Sequence, residues 1–269
     1  MSDDFHLNQF RSLDTAAGTS PYVEALEAFD HIEQLQELKA LARQRGGIAP
    51  GMRILDVGCG FGLETLRLAA EAQDRGLIAG VDLSRDFIDM ARQRAQTEGV
   101  DIDFRVSDAA ALPYEDAYFD CVRSERLLIY LEDVTAALGE MKRVLRPNGR
   151  VALIEPDFST TTLNVPDRAL LRKVVDYEVD TAVAQSWLPG QLSGMLSGLG
   201  FSEIVLASRV LVFPRALGAS YFSNIGQHAA EAGAITQAEQ EAWQAWIDRL
   251  AETGFLFGNI GYFLFTASA

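Results

Sequence analysis

The sequence is poor in the residues that most often announce a function. Its 269 residues include two cysteines and three histidines. Cys59 and Cys121 both fall in stretches that read as buried turn or strand. A disulfide framework is therefore not expected, and a reducing compartment is. His6, His31 and His228 lie far apart, and no Cys/His cluster has ligand spacing, so no bound metal is expected. Basic excess is also missing: 23 Lys and Arg stand against 38 Asp and Glu, a formal net charge of −15. A nucleic-acid binder draws much of its affinity from phosphate contacts and carries a basic face. The densest basic runs here, Arg43-Gln44-Arg45 and Lys142-Arg143-Val144-Leu145-Arg146, read instead as charge near helix ends. No apolar run reaches membrane-spanning length, and the most apolar one, Phe255 to Ala267, carries Gly258, Asn259 and Gly261. Met1-Ser2-Asp3-Asp4 is acidic and leads into no apolar run, so no secretory leader is expected and a cytoplasmic location is. A small-molecule substrate is the expected partner, without nucleic acid or membrane insertion; a homo-oligomer stays open.

What is present is a foldable α/β pattern, with 48% hydrophobic and 23% charged residues. A helical arm over residues 1–46 starts its helix at Ser20-Pro21 and carries Tyr22, Val23, Leu26, Phe29, Ile32, Leu35, Leu38 and Leu41 as one stripe ending at Gly46-Gly47. Strands then alternate with helices: Ile54–Val57, Leu77–Asp82, Ile102–Val106, Phe119–Ser124 and Val151–Glu155. That rhythm implies a parallel sheet with right-handed crossovers. It breaks at two helical stretches, about 158–188 and 214–254, expected as lids over a ligand mouth. The core is expected over about 47–157, 189–213 and 255–269, in one domain.

The most informative stretch is Arg53-Ile54-Leu55-Asp56-Val57-Gly58-Cys59-Gly60-Phe61-Gly62. It reads as a buried strand, a glycine turn and the start of a helix. The spacing is G-x-G-x-G rather than the G-x-G-x-x-G of dinucleotide sites. Asp56, inside the strand end, suits a ligand bearing an ammonium group better than a pyrophosphate. Ligands of open α/β sheets bind beyond the strands' carboxyl ends. Further candidates there are Asp82, 22 residues after Gly60, then Ser107-Asp108-Ala109, and Ser124-Glu125-Arg126.

Together with Val144 to Glu155, V-L-R-P-N-G-R-V-A-L-I-E, this series resembles the class I S-adenosylmethionine-dependent methyltransferases over about residues 50–156. The resemblance implies a Rossmann-like, doubly wound, seven-stranded sheet whose last strand is antiparallel, with Phe201–Val212 and Phe255–Ala267 as the closing hairpin. It implies S-adenosylmethionine as cofactor and S-adenosylhomocysteine as product. Asp56, Gly58, Cys59 and Gly60 would border the amino-acid part. Asp82 would hold the ribose, Leu83 would pack on adenine, Ser107, Asp108 and Ala109 would meet the adenine edge, and Ser124 the methionine end. The small-molecule branch of the family, with quinone precursors and natural products as acceptors, fits the acidic composition and the inserts.

An activated sulfonium needs positioning more than acid–base help, so catalytic residues leave little trace. The candidates are Tyr130, where relatives often carry histidine, and Glu155 and Asp157 after the fifth strand. Tyr22, Tyr177, Tyr221 and His228 are substrate-binding candidates, with Phe29, Trp187 and Phe222 as further aromatics; any of these rings could equally be core. Two other readings stay open. One is the same cofactor used without methyl transfer, as in cyclisation. The other is a nicotinamide-dependent oxidoreductase, against which the glycine spacing and Asp56 count.

Overall fold

The computed structural model describes residues 20–72 and 76–269; His6 and the first 19 residues of the expected N-terminal arm lie outside them. Seven strands form one sheet: β1 (Arg53–Val57), β2 (Leu77–Asp82), β3 (Asp103–Val106), β4 (Phe119–Glu125), β5 (Leu145–Leu163), β6 (Ser202–Val212) and β7 (Gly258–Ser268). Their order is β3-β2-β1-β4-β5-β7-β6. The pairs from β3 through β5 are parallel, and β7 runs antiparallel to both β5 and β6. This is the doubly wound, mostly parallel architecture expected. The chain moves outward from β1 to β3 and then restarts at β4 on the other side, so the crevice between β1 and β4 is the sheet's switch point.

The helices are α1 (Ser20–Asp30), α2 (Glu33–Gly46), α3 (Leu63–Ala72), α4 (Arg85–Glu98), α5 (Val134–Val144), α6 (Arg168–Thr181), α7 (Pro189–Gly198), α8 (Arg215–Glu231) and α9 (Gln237–Thr253). The single N-terminal helix read from the apolar stripe is in fact two, broken after Asp30. Its ends serve different cores. Tyr22 and Ala25 pack with Phe61 and Phe87, whereas Leu35, Leu38 and Ala42 join the main core.

β5 is also longer than its expected Val151–Glu155. After an irregularity at Asp157–Thr162 it continues along β7 to Leu163, and Gly261 N donates to Thr160 Oγ1 at 2.7 Å. In the second helical stretch α8 and α9 pack closely at Gly226, where a Cβ would lie 2.3 Å from the Trp243 ring, and Trp243 Nε1 donates to the Phe222 carbonyl at 2.7 Å.

Candidate active site

The glycine turn is tied to the end of β2. Gly58 N and Cys59 N both donate to Val81 O, at 2.8 and 3.0 Å, and Gly60 N donates to Asp82 Oδ2 at 2.9 Å. Gly58 sits at φ 73°, and a Cβ there would come within 2.9 Å of Leu127. These amides serve the protein, so they do not form the open amide cradle that a pyrophosphate requires. Asp82 Oδ1 accepts from Ser84 N at 2.9 Å, while Ser84 Oγ caps α4 through Phe87 N. Asp108 is held by Ala110 N at 2.9 Å.

Around these groups lies a cavity of about 400 Å³ at the switch point. Its wall brings together Asp56, Gly58, Cys59 and Gly60 from β1 and its turn, Asp82 and Leu83 after β2, and Ser107, Asp108 and Ala109 after β3. Leu83 stands 55% exposed beside it. Tyr130 and Tyr221 line it too, as does Phe29. The remaining candidates do not. Ser124 is fully buried within β4. Glu155 points under the segment after β4, where Oε1 accepts from Leu127 N and Leu128 N at 3.2 and 2.9 Å. Asp157 folds back on its own chain to accept from Ser159 N at 3.0 Å, while its neighbours Pro156 and Phe158 face the cavity. Tyr22 packs behind the wall with Phe61 and Phe87. Tyr177 packs against the main core, Phe222 is buried in it, His228 lies outside the lining, Trp187 is 63% exposed, and His31 is exposed. Of the expected lid stretches, 214–254 contributes Tyr221 and 158–188 contributes Phe158; α1 supplies Ala25, Leu26, Phe29 and Asp30.

The cavity floor is a buried ion network. Lys39 joins Asp30 at 2.7 Å to Glu125 at 3.1 Å. Arg123 joins Asp56 at 2.9 Å to Glu125 at 3.0 Å, and Thr65 Oγ1 donates to the other Asp56 oxygen at 2.7 Å. Burial would raise the Glu125 pKa, but Lys39, Arg126 and Arg123 hold it down at about 2. Burial likewise opposes ionisation of Asp30, yet Arg67 and Lys39 keep it well below the usual carboxylate range. Asp56 therefore borders the cavity with both oxygens engaged, rather than as the free carboxylate its sequence position suggests. Sequence reading missed Lys39, Asp30 and Arg123. The available signal was Arg123 itself, a charge inside a strand that should be apolar on both faces.

Aromatic rings reach the cavity from both sides: Phe61 and Phe87 beside the glycine turn, and Phe158, Phe213, Tyr221 and Tyr262 from beyond β4. Acids likewise come from the ends of β1, β2 and β3 and from Glu125, Glu132 and Asp133 at and after β4. Burial pushes the Tyr130 phenol far up and the Tyr262 phenol to about 12, with Arg126 opposing both. Both stay protonated in the physiological range and act as donors, not bases. Cys59 and Cys121 are free and buried. Among the described residues no His, Cys, Asp or Glu group is placed to hold a metal.

Residues 55–153 match the model of a methyltransferase domain. An uncharacterized 37.1 kDa protein in transposon TN4556 of Streptomyces fradiae is 30% identical over 82% of this chain and 63% of its own length. A 2-phytyl-1,4-naphtoquinone methyltransferase of Trichormus variabilis is 32% identical over 51% of this chain and 60% of its own. Residues 55–153 of this chain thus resemble a methyltransferase domain, and the sheet around them has the class I methyltransferase fold. Among solved structures the [4+2]-cyclase SpnF superposes with a TM-score of 0.57 at 25% identity, covering 86% of this chain and 80% of that one. The chain spans less than two thirds of the length of either relative in sequence. No helix among the described residues is long and apolar enough to cross a membrane.

Proposed function

We propose that the protein transfers a methyl group from S-adenosylmethionine to a small, largely apolar acceptor. One observation carries the reading: the strand-end acids and the bare glycine turn share a cavity with aromatic rings from beyond β4. The residues fit the cofactor. Asp82 stands at the cavity where ribose hydroxyls would lie, and Leu83, Ser107, Asp108 and Ala109 offer an apolar and polar edge to adenine. Gly58, Cys59 and Gly60 leave room for the amino-acid part beside Asp56.

The bound sulfonium supplies an already activated methyl group. The chain's own contribution is to place the acceptor and exclude water. Tyr130 and Tyr262 donate hydrogen bonds, and Phe29, Phe158, Phe213 and Tyr221 frame the apolar body. Of the acids lining the cavity, Asp30, Asp56, Glu64 and Glu125 pair with cations, Asp82, Asp108 and Asp133 accept backbone amides, and Glu132 lines it as well. An acceptor that arrives with its proton already lost to solvent needs none of them as base. The quinone methyltransferase relative and the net charge of −15 support a small acceptor over a nucleic acid.

The likeness to a [4+2]-cyclase supports a second reading, in which the cofactor is bound but not consumed. Incubation with methyl-labelled S-adenosylmethionine and a metabolite extract separates the two. Label in an extracted product, with S-adenosylhomocysteine formed in equal amount, is the expected result. A transformed metabolite with the cofactor unchanged would replace it with the second reading.

A further inference from the structure

Arg126 is a cation at the cavity whose Nε is buried without a hydrogen-bond partner among the described residues. It follows β4 directly and its backbone stands at φ 50°, a left-handed conformation unusual for a residue with a side chain. That conformation is unfavourable for a residue with a Cβ and persists only where the surroundings impose it. They do so here. Arg126 N donates to Ile154 O at 2.9 Å, and the next two amides are held by Glu155 Oε1 at 3.2 and 2.9 Å. The end of β5 thus pins residues 126–128 as a rigid platform, and the side chain leaves it toward the cavity.

The guanidinium is poorly satisfied there. Its counter-ion is Glu125, at 3.3 Å, but the contact lacks hydrogen-bond geometry. Arg126 Nε and Glu125 Oε1 are both buried without a hydrogen-bond partner among the described residues. Glu125 is already shared, through Oε2, by Lys39 at 3.1 Å and Arg123 at 3.0 Å. Otherwise Arg126 hydrogen-bonds the Tyr262 hydroxyl, lies 5.5 Å over the Phe29 ring and is near Tyr130. Those residues line the cavity. A buried planar cation among rings, with its Nε–H unpartnered among the described residues, suits a planar ligand that carries an anionic oxygen.

We infer that Arg126 selects the acceptor, binding an acidic oxygen (carboxylate, phenolate or enolate) on an aromatic or similarly flat apolar body. This rests on the methyltransferase reading and adds the acceptor's chemistry to it. The rival role for the same arginine is a contact to the cofactor's own carboxylate, and the test keeps the two apart.

The probes are benzoate and 2-naphthoate, each paired with its uncharged amide, titrated into protein saturated with S-adenosylhomocysteine and followed by calorimetry. The expected result is that at least one anion binds more tightly than its amide. Arg126→Gln should weaken that anion by about 10- to 100-fold, as for loss of a charge-assisted hydrogen bond, and leave the amide unchanged. Arg126→Lys should restore part of the loss, and both variants should bind S-adenosylhomocysteine as the parent does. Glutamine carries the same backbone demand as arginine at this φ, and the retained S-adenosylhomocysteine binding shows that the variant is folded. The inference is overturned if no anion binds, if anion and amide bind alike, or if Arg126→Gln weakens S-adenosylhomocysteine instead. Failure of the parent protein to bind S-adenosylhomocysteine at all would overturn the methyltransferase reading itself.

Discussion

Asp82 closes the glycine turn through Gly60 N and lines the cavity. Asp82→Ala removes both roles, so S-adenosylhomocysteine affinity should fall by roughly 1–3 kcal/mol in a calorimetric titration; unchanged affinity would place the ribose elsewhere. Glu178 gives a pH prediction. It is buried in α6, accepts from the Tyr221 hydroxyl, and burial pushes it up to about 8 against that bond. The unfolded carboxyl titrates near 4.5, so between 4.5 and 8 the folded state keeps a proton that the unfolded state releases. Stability from the neutral form is therefore complete below 4.5 and is lost as pH rises through 8. Glu178→Gln retains an acceptor for Tyr221 and cannot ionise. Its unfolding free energy should exceed the parent's by a margin that widens from pH 5 to 8.5, to the order of 1–3 kcal/mol in urea unfolding at each pH. Parallel pH profiles would contradict this. At this scale the sequence showed the residues whose position follows from a strand end: Asp56, Asp82 and Asp108. It could not show Lys39 or Asp30, whose place depends on how α1 and α2 dock. Nor could it show that Glu155 turns inward to hold amides, since a strand-end acid reads the same whichever way it points.

The element that the apolar stripe misplaced is the first one. An uninterrupted stripe predicts one helix, but only packing reveals that its halves face two cores and that Asp30 sits at the joint. Lys39 in α2 locks that joint to β4 by bridging Asp30 and Glu125. Lys39→Met leaves two buried carboxylates short of a cation and should destabilise by about 3–5 kcal/mol in urea unfolding; a loss under 1 kcal/mol would show the bridge to be dispensable. In the α8–α9 pair, Gly226→Ala places a methyl against Trp243. Overpacking of this kind should lower stability by about 1–3 kcal/mol, read as a lower melting temperature; an unchanged melt would mean that the two helices separate easily. Helix existence in these stretches was legible from periodicity. Which faces line the cavity was not, because an aromatic on an amphipathic helix packs equally well into the core, as Phe222 does and its neighbour Tyr221 only partly does.

Across the whole molecule, the parallel sheet was readable because a β/α rhythm leaves few topologies, and the antiparallel β7 was implied by the family resemblance rather than by the rhythm. The switch point between β1 and β4 then gathers strand ends that lie far apart in sequence, and those ends bring the glycine turn, the acids and the aromatic rings to one cavity. The acids and the committed amides of the turn favour a sulfonium nucleoside over a pyrophosphate-bearing one. The direct test is a pair of calorimetric titrations of the parent protein, one with S-adenosylhomocysteine and one with NADH. The account predicts saturable binding of S-adenosylhomocysteine at one site per chain and no heat of binding from NADH; saturable NADH binding without S-adenosylhomocysteine binding would contradict it.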